Sequence, residues 1–143
     1  MARTQKKNVA ATIRTPITLE QLIETLKDSP FTQLLNTQVI ACEDGYAELK
    51  VPLTENLKQH SGFTHGAILG FVADSACCWA AASKVGNVVT AEYKINFICP
   101  AVGDYIIGKG YVIKSTMSQV ITRADIYSVR RGKENLVATA LAT

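Results

Sequence analysis

Apolar residues early in the chain recur at helical spacing. Between residues 18 and 29, leucine and isoleucine side chains fall three and four positions apart, which predicts a helix, and Pro30 marks its end. A second short turn of helix is expected over 30–36. β-rich runs then occupy 37–42 and 46–53, and the Asp-Gly pair between them is a strong hairpin signal.

The chain changes character after a polar, Gly-containing loop at 54–65. Residues 66–84 carry one charge before Lys84, at Asp74, and are dominated by small Ala, Ser and Gly residues. As a helix this stretch would be ~28 Å long, enough to invite comparison with a membrane span. A central carboxylate would be costly in a bilayer. The stretch is therefore predicted to be a helix buried on nearly all sides by protein.

The last third of the chain is typical of strands. Polar and apolar side chains alternate over 88–97, and 105–114 and 119–129 are rich in Ile, Val, Tyr and Thr. The polar segment 130–134 predicts a turn into a final strand over 135–143. This order of elements differs from the strand–helix alternation of a doubly wound fold. It predicts an α+β fold in which an antiparallel sheet wraps around one long central helix.

Length and composition indicate one domain. The chain has 143 residues, of which 48% are hydrophobic and 19% charged, so it can bury a core and is not a disordered protein. Four of its 15 basic residues precede the first acid, Glu20, which leaves 11 against 12 acidic residues. We therefore expect a flexible leader over 1–17, a single domain over 18–143 and no broad nucleic-acid-binding face.

The N-terminal segment and the cysteines favour a cytoplasmic protein. The segment before the first predicted helix has no apolar stretch of the secretory kind. The four cysteines form no CxxC pair and have no histidine at zinc-site spacing. Reduced, packed thiols are therefore expected, rather than a disulfide framework or a metal site.

Asp74 is the most informative residue, because a charge in an apolar helix is costly unless it is paired or hydrogen-bonded. Two interpretations are open. It is either a structural carboxylate held by hydroxyls such as Ser75 or Thr90, or a functional acid. Cys77 and Cys78 lie mid-helix among apolar residues, and we expect them to pack rather than to act as nucleophiles.

The loop before the central helix ends in His65-Gly66. Backbone N–H groups at a helix start lack intrahelical partners and lie at the positive end of the dipole, which suits a developing oxyanion. Gly66 would also let a carbonyl group approach closely. His60 and His65, taken alone, are expected to be structural. Together with Asp74 they show no recognisable metal-site spacing.

These residues form a pattern with a known counterpart. The spacing Gln59-x5-His65-Gly66-x7-Asp74 resembles the signature of hot-dog-fold acyl-CoA thioesterases of the PaaI-like group, and the resemblance continues through 89–101. The combined spacing is more specific than any single piece of it. The hot-dog fold is itself an antiparallel sheet around one central helix, in agreement with the periodicity.

The resemblance implies a role for each residue of the pattern. Asp74 would be the nucleophile or general base that attacks a thioester carbonyl, directly or through water. The Gly66 N–H would hold the oxyanion, and Gln59 would orient the carbonyl or the water. Thr90 would support the acid, and His65 would shape the helix entry. No metal or cofactor is implied, because CoA is part of the substrate and the chemistry needs only a nucleophile and donors.

Further residues are assigned to substrate binding. His60 lies in the loop before the helix, and Ala67 stands where many relatives have a second glycine, so that its methyl group bears on acyl-group size. The phosphates of CoA are expected to meet basic side chains from the later strands and turns, namely Lys114, Arg123, Arg130, Arg131 and Lys133.

Helix geometry predicts a shared site. Gly66 and Asp74 would stand ~12 Å apart along one helix. Attack and oxyanion stabilisation both need contacts of ~3 Å to the same carbonyl. If both residues act on one substrate, they come from different chains. The resembling family uses this arrangement in homodimers, often paired into tetramers, and an edge strand over 88–97 would expose a surface for such pairing.

Two other functions stay open on the same fold. Hydratase or dehydratase relatives pair an Asp with a His about five residues later in the loop, and this sequence lacks that pair. The other is a non-catalytic acyl-CoA-binding module, against which the presence of Asp74 and Gly66 counts. The sequence has no Gly-x-Ser-x-Gly elbow, which argues against an α/β-hydrolase.

Neither a membrane nor a nucleic acid is expected as a partner.

Overall fold

The computed structural model describes residues 14–143, so most of the predicted leader, residues 1–13, lies outside the described part of the chain. Ile17 already packs against the core, and its amide donates to the carbonyl oxygen of Ala82 at 3.0 Å. The position of the boundary between leader and domain stays a prediction.

Two short helices open the domain. Helix α1 spans Leu19–Leu26 and begins with a capping box between Thr18 and Gln21, and helix α2 spans Pro30–Leu34. Both confirm predicted helices, with shorter ends. A proline disfavours helical geometry in the residue before it, so α1 stops short of Pro30. The predicted loop at 54–65 contains one turn of 3-10 helix, Glu55–Leu57.

The long apolar segment forms helix α3, Gly66–Val85. It is long and apolar enough to cross a membrane, but 67% of its most apolar 18-residue stretch is buried within the domain. Helix α3 is therefore the core helix, as predicted from its central carboxylate.

Six strands form one antiparallel sheet in the order β1-β2-β4-β5-β6-β3. Their bounds are β1 Gln38–Glu43, β2 Tyr46–Pro52, β3 Tyr93–Phe97, β4 Tyr105–Ser115, β5 Val120–Arg130 and β6 Lys133–Ala142. The β1–β2 and β5–β6 hairpins turn at Asp44-Gly45 and Arg131-Gly132, and all four residues have positive φ. Paired positive φ values match the right-handed twist of the flanking strands. Both predicted turns are confirmed.

The strand predicted over 88–97 is wrong in its first half, because β3 begins only at Tyr93. Tyr93 pairs with Ala142, the last residue of β6, so residues 88–90 have no strand beside them. Ala91 still donates to the carbonyl oxygen of Thr143, at 2.8 Å. The residues before Tyr93 are therefore not part of the strand at the sheet edge. Alternation alone could not show where the partner strand ends.

Helix α3 packs directly on the backbone of β4. A Cβ atom at Gly110 would lie 2.0 Å from the carbonyl oxygen of Ala76, and one at Gly108 would lie 2.5 Å from a methyl carbon of Val72. Only glycine permits this approach. The helix contacts all six strands, so the predicted α+β architecture, a sheet wrapped around one long helix, is confirmed.

Candidate active site

Helix α3 leaves one face uncovered by its own sheet. Over residues 67–83 of the helix, the only side chains that are not buried are Ala67, Phe71, Asp74 and Cys78. These four residues, which we call the open stripe, are spaced four, three and four apart and so share one helical face. Asp74 is therefore half-buried on an accessible face rather than sealed in the core.

One oxygen of the Asp74 carboxylate is held by a neighbouring hydroxyl. Thr90 Oγ1 donates to Asp74 Oδ1 at 2.7 Å, a hydrogen bond strengthened by the charge of the acceptor. Among residues 14–143 no donor reaches Oδ2. Ser75, the other hydroxyl considered for this role, is buried and makes no bond with Asp74. The predicted Asp74–Thr90 pair is present, with one carboxylate oxygen left open.

The start of α3 presents a free amide. His65 is the N-cap, and its Nδ1 accepts from the Ala67 amide at 3.0 Å, so this histidine shapes the helix entry. Its own amide donates to the carbonyl oxygen of Leu57 at 2.8 Å. The Gly66 amide donates to no acceptor within the described part of the chain. Because it lies at the positive end of a 20-residue helix, it can bind a negatively charged oxygen.

A cavity of about 350 Å³ opens in front of this amide. Gln59 and Gly66 both line it, and the ring of Phe97 lies across Gly66. A Cβ atom at Gly66 would lie 3.2 Å from Phe97 Cζ. A tight turn holds Gln59 in place, because its amide donates to the carbonyl oxygen of Phe63 at 2.8 Å. The structure thus brings the predicted pair Gln59 and Gly66 to one cavity.

Asp74 lies beside a different cavity, of about 360 Å³. Thr90 and Cys78 both line it, and Cys78 is one helical turn from Asp74. Burial raises the pKa of Cys77, which also lines this cavity, to about 11, and it raises the pKa of Cys78 as well. Both thiols are therefore neutral near pH 7 and unsuited to act as nucleophiles.

Gly66 and Asp74 do not meet within one chain. Eight positions along α3 separate them by ~12 Å, and the cavity that Gly66 lines does not include Asp74. His60 is exposed in the loop and Ala67 is exposed on the open stripe. No three His, Cys, Asp or Glu side chains in residues 14–143 cluster closely enough to hold a metal ion.

The predicted phosphate-binding residues lie in different places. Arg130 lines a third cavity, of about 340 Å³, together with Lys58 and Asp104. Arg123 lies 3.2 Å from Asp125 Oδ2. It alternates with the buried Ala124, so it is on the sheet face away from α3. The other three, Lys114, Arg131 and Lys133, are exposed on the surface.

Two aromatic residues of the site were not predicted from the sequence. Tyr93 and Phe97, four residues apart on β3, lie over Gly70 and Gly66, four residues apart on α3. A Cβ atom at Gly70 would lie 3.0 Å from the Tyr93 hydroxyl oxygen. The matching spacings share one face on each element, which is the signal that could have paired them.

Comparison with known proteins assigns the family. No protein-family model matches the chain. It is 30% identical over 129 residues to the Saccharolobus solfataricus protein named "Putative esterase SSO1253", a match covering 89% of this chain and 84% of that protein. A thioesterase family protein from Silicibacter pomeroyi is 31% identical, with a TM-score of 0.81 over 85% of this chain and 91% of that one.

The fold extends to a more distant structure. The E. coli PaaI protein from the phenylacetic acid degradation operon is 19% identical, with a TM-score of 0.77 over 86% of this chain and 88% of its own. At this identity the likeness concerns the fold alone. The two nearer relatives identify the chain as a member of the thioesterase superfamily, and the sheet wrapped around α3 is the hot-dog fold that it shares with PaaI.

Proposed function

We propose that the protein is an acyl-CoA thioesterase that hydrolyses an acyl- or aryl-CoA thioester to the free acid and CoA. The observation that carries the proposal is the state of Asp74. One oxygen of its carboxylate is held by Thr90 at 2.7 Å, while the other has no donor among the described residues and lies on the open stripe. A carboxylate held in this way is oriented and still free to react.

The reaction needs two groups on opposite sides of one thioester carbonyl. Asp74 attacks the carbonyl carbon, or removes a proton from a water that does so. The negative charge that develops on the carbonyl oxygen is held by the free Gly66 amide at a helix start. Collapse of the tetrahedral species breaks the C–S bond and releases CoA as a thiolate. After direct attack, water cleaves the mixed anhydride formed on Asp74 to give the free acid and the carboxylate; after attack by water, the proton held by Asp74 passes to the thiolate. Gln59, on the same cavity as Gly66, orients the carbonyl or the water.

The two groups meet in a homodimer. Two α3 helices that run antiparallel across a twofold axis would place each Asp74 beside Gly66 of the partner subunit, giving two equivalent sites. The exposed apolar surface supports this assembly. Val89 is 92% exposed, Phe97 is 58% exposed, and both belong to the segment that ends in the edge strand β3. Phe71 of the open stripe is a further apolar contact for the partner. Dimers could pair further into a tetramer.

The CoA end of the substrate extends from Gly66 toward Arg130. The cavity at the helix start and the Arg130 cavity share Thr64 and Ala101 on their walls, so the two cavities are neighbours on the surface. Arg130 and Lys58 then supply positive charge for the phosphates. Arg123, on the other face of the sheet and paired with Asp125, is not needed by this path.

Release of free thiol from a panel of acyl-CoAs tests the proposal. Asp74→Asn should fold normally and lose activity by orders of magnitude, because the nucleophile or base is removed. Asp28→Asn, the same change at an exposed position outside the site, is the matched control and should be fully active. Retention of more than about a tenth of wild-type kcat by Asp74→Asn would overturn the role of Asp74.

The same panel separates the other functions open on this fold. A protein that binds acyl-CoA without releasing thiol is a binding module. Loss of the conjugated absorbance of an enoyl-CoA would instead identify a hydratase. We further propose a cytoplasmic location, which four free cysteines support because thiols stay reduced there.

A further inference from the structure

Strand β3 is at one end of the six-stranded sheet, so one of its edges is unpaired within the described part of the chain. In an antiparallel ladder, the backbone groups of successive residues point to opposite sides of the strand. The Glu92 carbonyl oxygen accepts from the Thr143 amide at 3.0 Å, so Glu92 faces β6. Tyr93, Ile95 and Phe97 therefore direct their backbone N–H and C=O groups to the free edge. An edge of this kind is a template for another strand.

Three contacts run along helix α3 at steps of four residues. They are Phe97 across Gly66, Tyr93 over Gly70, and Thr90 bonded to Asp74. Gly66 and Asp74 are thus at the two ends of the run, and Tyr93 is in its middle. A twofold axis that brings Asp74 to Gly66 of the partner subunit passes near Gly70, because Gly70 is equally far from both, and therefore near Tyr93.

Two charged side chains flank Tyr93. Lys94 pairs with Leu141, an exposed residue between two buried alanines of β6, so Lys94 is on the sheet face away from α3. The Glu92 carboxylate accepts from the Thr143 hydroxyl at 2.6 Å, and Thr143 is two residues after Leu141, on the same face. Both charged side chains are exposed, and neither forms an ion pair among residues 14–143.

The registers open to two β3 strands differ in what lies opposite these charges. If the twofold axis passes through Lys94, the two lysines lie opposite one another, which is destabilising. If it passes through Ile95, Lys94 lies opposite Asn96 of the partner subunit, and neither charge gains an opposite one. If it passes through Tyr93, Glu92 lies opposite Lys94 of the partner subunit, and the same pair repeats on the other side of the axis.

We propose that β3 pairs with β3 of a second copy of this chain in the antiparallel register centred on Tyr93, with two Glu92–Lys94 ion pairs between the subunits. A twofold interface brings the same patch of both copies together, and Glu92 and Lys94 complement themselves across it. In this register residues 89–92 lie beside residues 94–97 of the partner subunit. Val89, which is 92% exposed in the single chain, thereby gains a neighbouring strand.

The same register brings the two halves of the candidate site together. Phe97 of the partner subunit, which lies across the partner's Gly66, comes beside Thr90, and Thr90 holds Asp74. In the register centred two residues later, it would lie opposite Tyr93, one helical turn farther from Asp74. The link to a shared site rests on the proposed thioesterase function. The register and its ion pairs do not depend on the chemistry.

Charge reversal at the two positions tests the register. Glu92→Lys and Lys94→Glu should each weaken the homodimer about 10- to 100-fold in sedimentation, because both opposite-charge pairs become like-charge pairs. The double variant Glu92→Lys/Lys94→Glu restores the pairs and should dimerise like the wild type. Glu43→Lys, on the edge strand β1 at the other side of the sheet, and Lys133→Glu, at the exposed start of β6, are the matched controls and should change nothing.

Co-expression of the two single variants gives a sharper measurement. Two Glu92→Lys chains repel each other, as do two Lys94→Glu chains, whereas one chain of each kind forms both ion pairs. Native mass spectrometry counts the resulting homodimers and heterodimers. Random assortment gives about half heterodimers, and a penalty of about tenfold on each homodimer raises that fraction to about nine-tenths.

Several results would overturn the proposal. Heterodimers at the random level, a double variant as weak as the single ones, or a wild-type monomer at micromolar concentration would each do so. A Lys94→Glu homodimer tighter than the wild type would place the axis at Lys94 instead. Thiol release by the wild-type protein keeps this inference separate from the proposed function. A heterodimer preference without hydrolysis leaves the interface standing and removes the thioesterase, and hydrolysis with random assortment does the reverse.

Discussion

Gly110→Ala should separate α3 from the sheet at the position that supports Asp74. The new Cβ would lie 2.0 Å from the carbonyl oxygen of Ala76 and 2.4 Å from its carbonyl carbon. Both partners are backbone atoms, so no side-chain rotation relieves the contact. The helix and β4 must move apart by more than an ångström to restore an ordinary van der Waals separation, and the packing of the neighbouring side chains is lost with it.

The expected cost follows from overpacking in a close-packed core. Inserted methyl groups usually cost about 1–3 kcal/mol when side chains can adjust. Here they cannot, so we expect a loss of about 3 kcal/mol or more in the free energy of unfolding. With a urea m-value of about 1–3 kcal/mol/M, the unfolding midpoint should fall by roughly 1–3 M. Ala76 is two residues from Asp74, so the same movement should weaken the bond to Thr90 and lower kcat.

Gly70→Ala is the matched control for this prediction. Its Cβ would lie 3.0 Å from the Tyr93 hydroxyl oxygen, at the end of a 42% exposed side chain that can move. Alanine is also favoured over glycine inside a helix by about 1 kcal/mol. Stability should therefore be unchanged or slightly higher. If urea titration gives Gly110→Ala a free energy of unfolding within about 1 kcal/mol of the wild-type value, the close approach of α3 to β4 is wrong.

Three further predictions concern the site and its surroundings. Thr90→Val should lower kcat roughly 10- to 100-fold, because a hydrogen bond to a charged group contributes about 1.5–3 kcal/mol, while Thr90→Ser should keep most activity; equal rates for the two variants would contradict this. Folding stability should fall as pH rises from about 9 to 11, because burial raises the pKa of Cys77 from its ordinary value of 9.0 to about 11 and the Cys77 thiol therefore loses its proton first in the unfolded state. A constant melting temperature across that range would refute the shift. Arg130→Gln should raise KM for acyl-CoA but not for an acyl-pantetheine, while Arg123→Gln should change neither; the opposite order in steady-state kinetics would move the phosphate site to the outer sheet face.

The sequence predicted elements wherever local chemistry decides them. Leucine spacing and Pro30 located α1, and the Asp44-Gly45 pair located the first hairpin, because a turn with two positive φ values is set by its own residues. The start of β3 was misplaced because strand length depends on the partner, and β6 ends opposite Tyr93. A single-sequence pattern contains no information on where a distant strand stops.

The candidate site divides in the same way. Asp74 was predicted to matter because an isolated charge in an apolar helix is costly. Thr90, its observed hydrogen-bond partner, was one of the two hydroxyl residues predicted to hold it. Phe97 across Gly66 was missed, because that contact requires the register between an edge strand and a helix. The placement of α3 on Gly108 and Gly110 likewise depends on sheet register, so neither glycine stood out in the sequence.

A shared site across two chains is the central claim, and mixed dimers test it most directly. Gly66→Pro removes the proposed oxyanion donor, and proline suits the first position of a helix whose N-cap, His65, has extended backbone angles. Gly66→Ala keeps the amide and is the control. Loss of one such donor should lower kcat by about 10²- to 10³-fold, so Gly66→Pro and Asp74→Asn homodimers should both be nearly inactive.

In a heterodimer of the two variants, one site combines the intact Gly66 of the first chain with the intact Asp74 of the second, and the other site lacks both. Dimers carrying two different affinity tags can be purified and assayed for thiol release from an acyl-CoA. The account predicts about half of the wild-type kcat per dimer, from one working site. Purified heterodimers that remain as inactive as the parent variants would contradict the shared site.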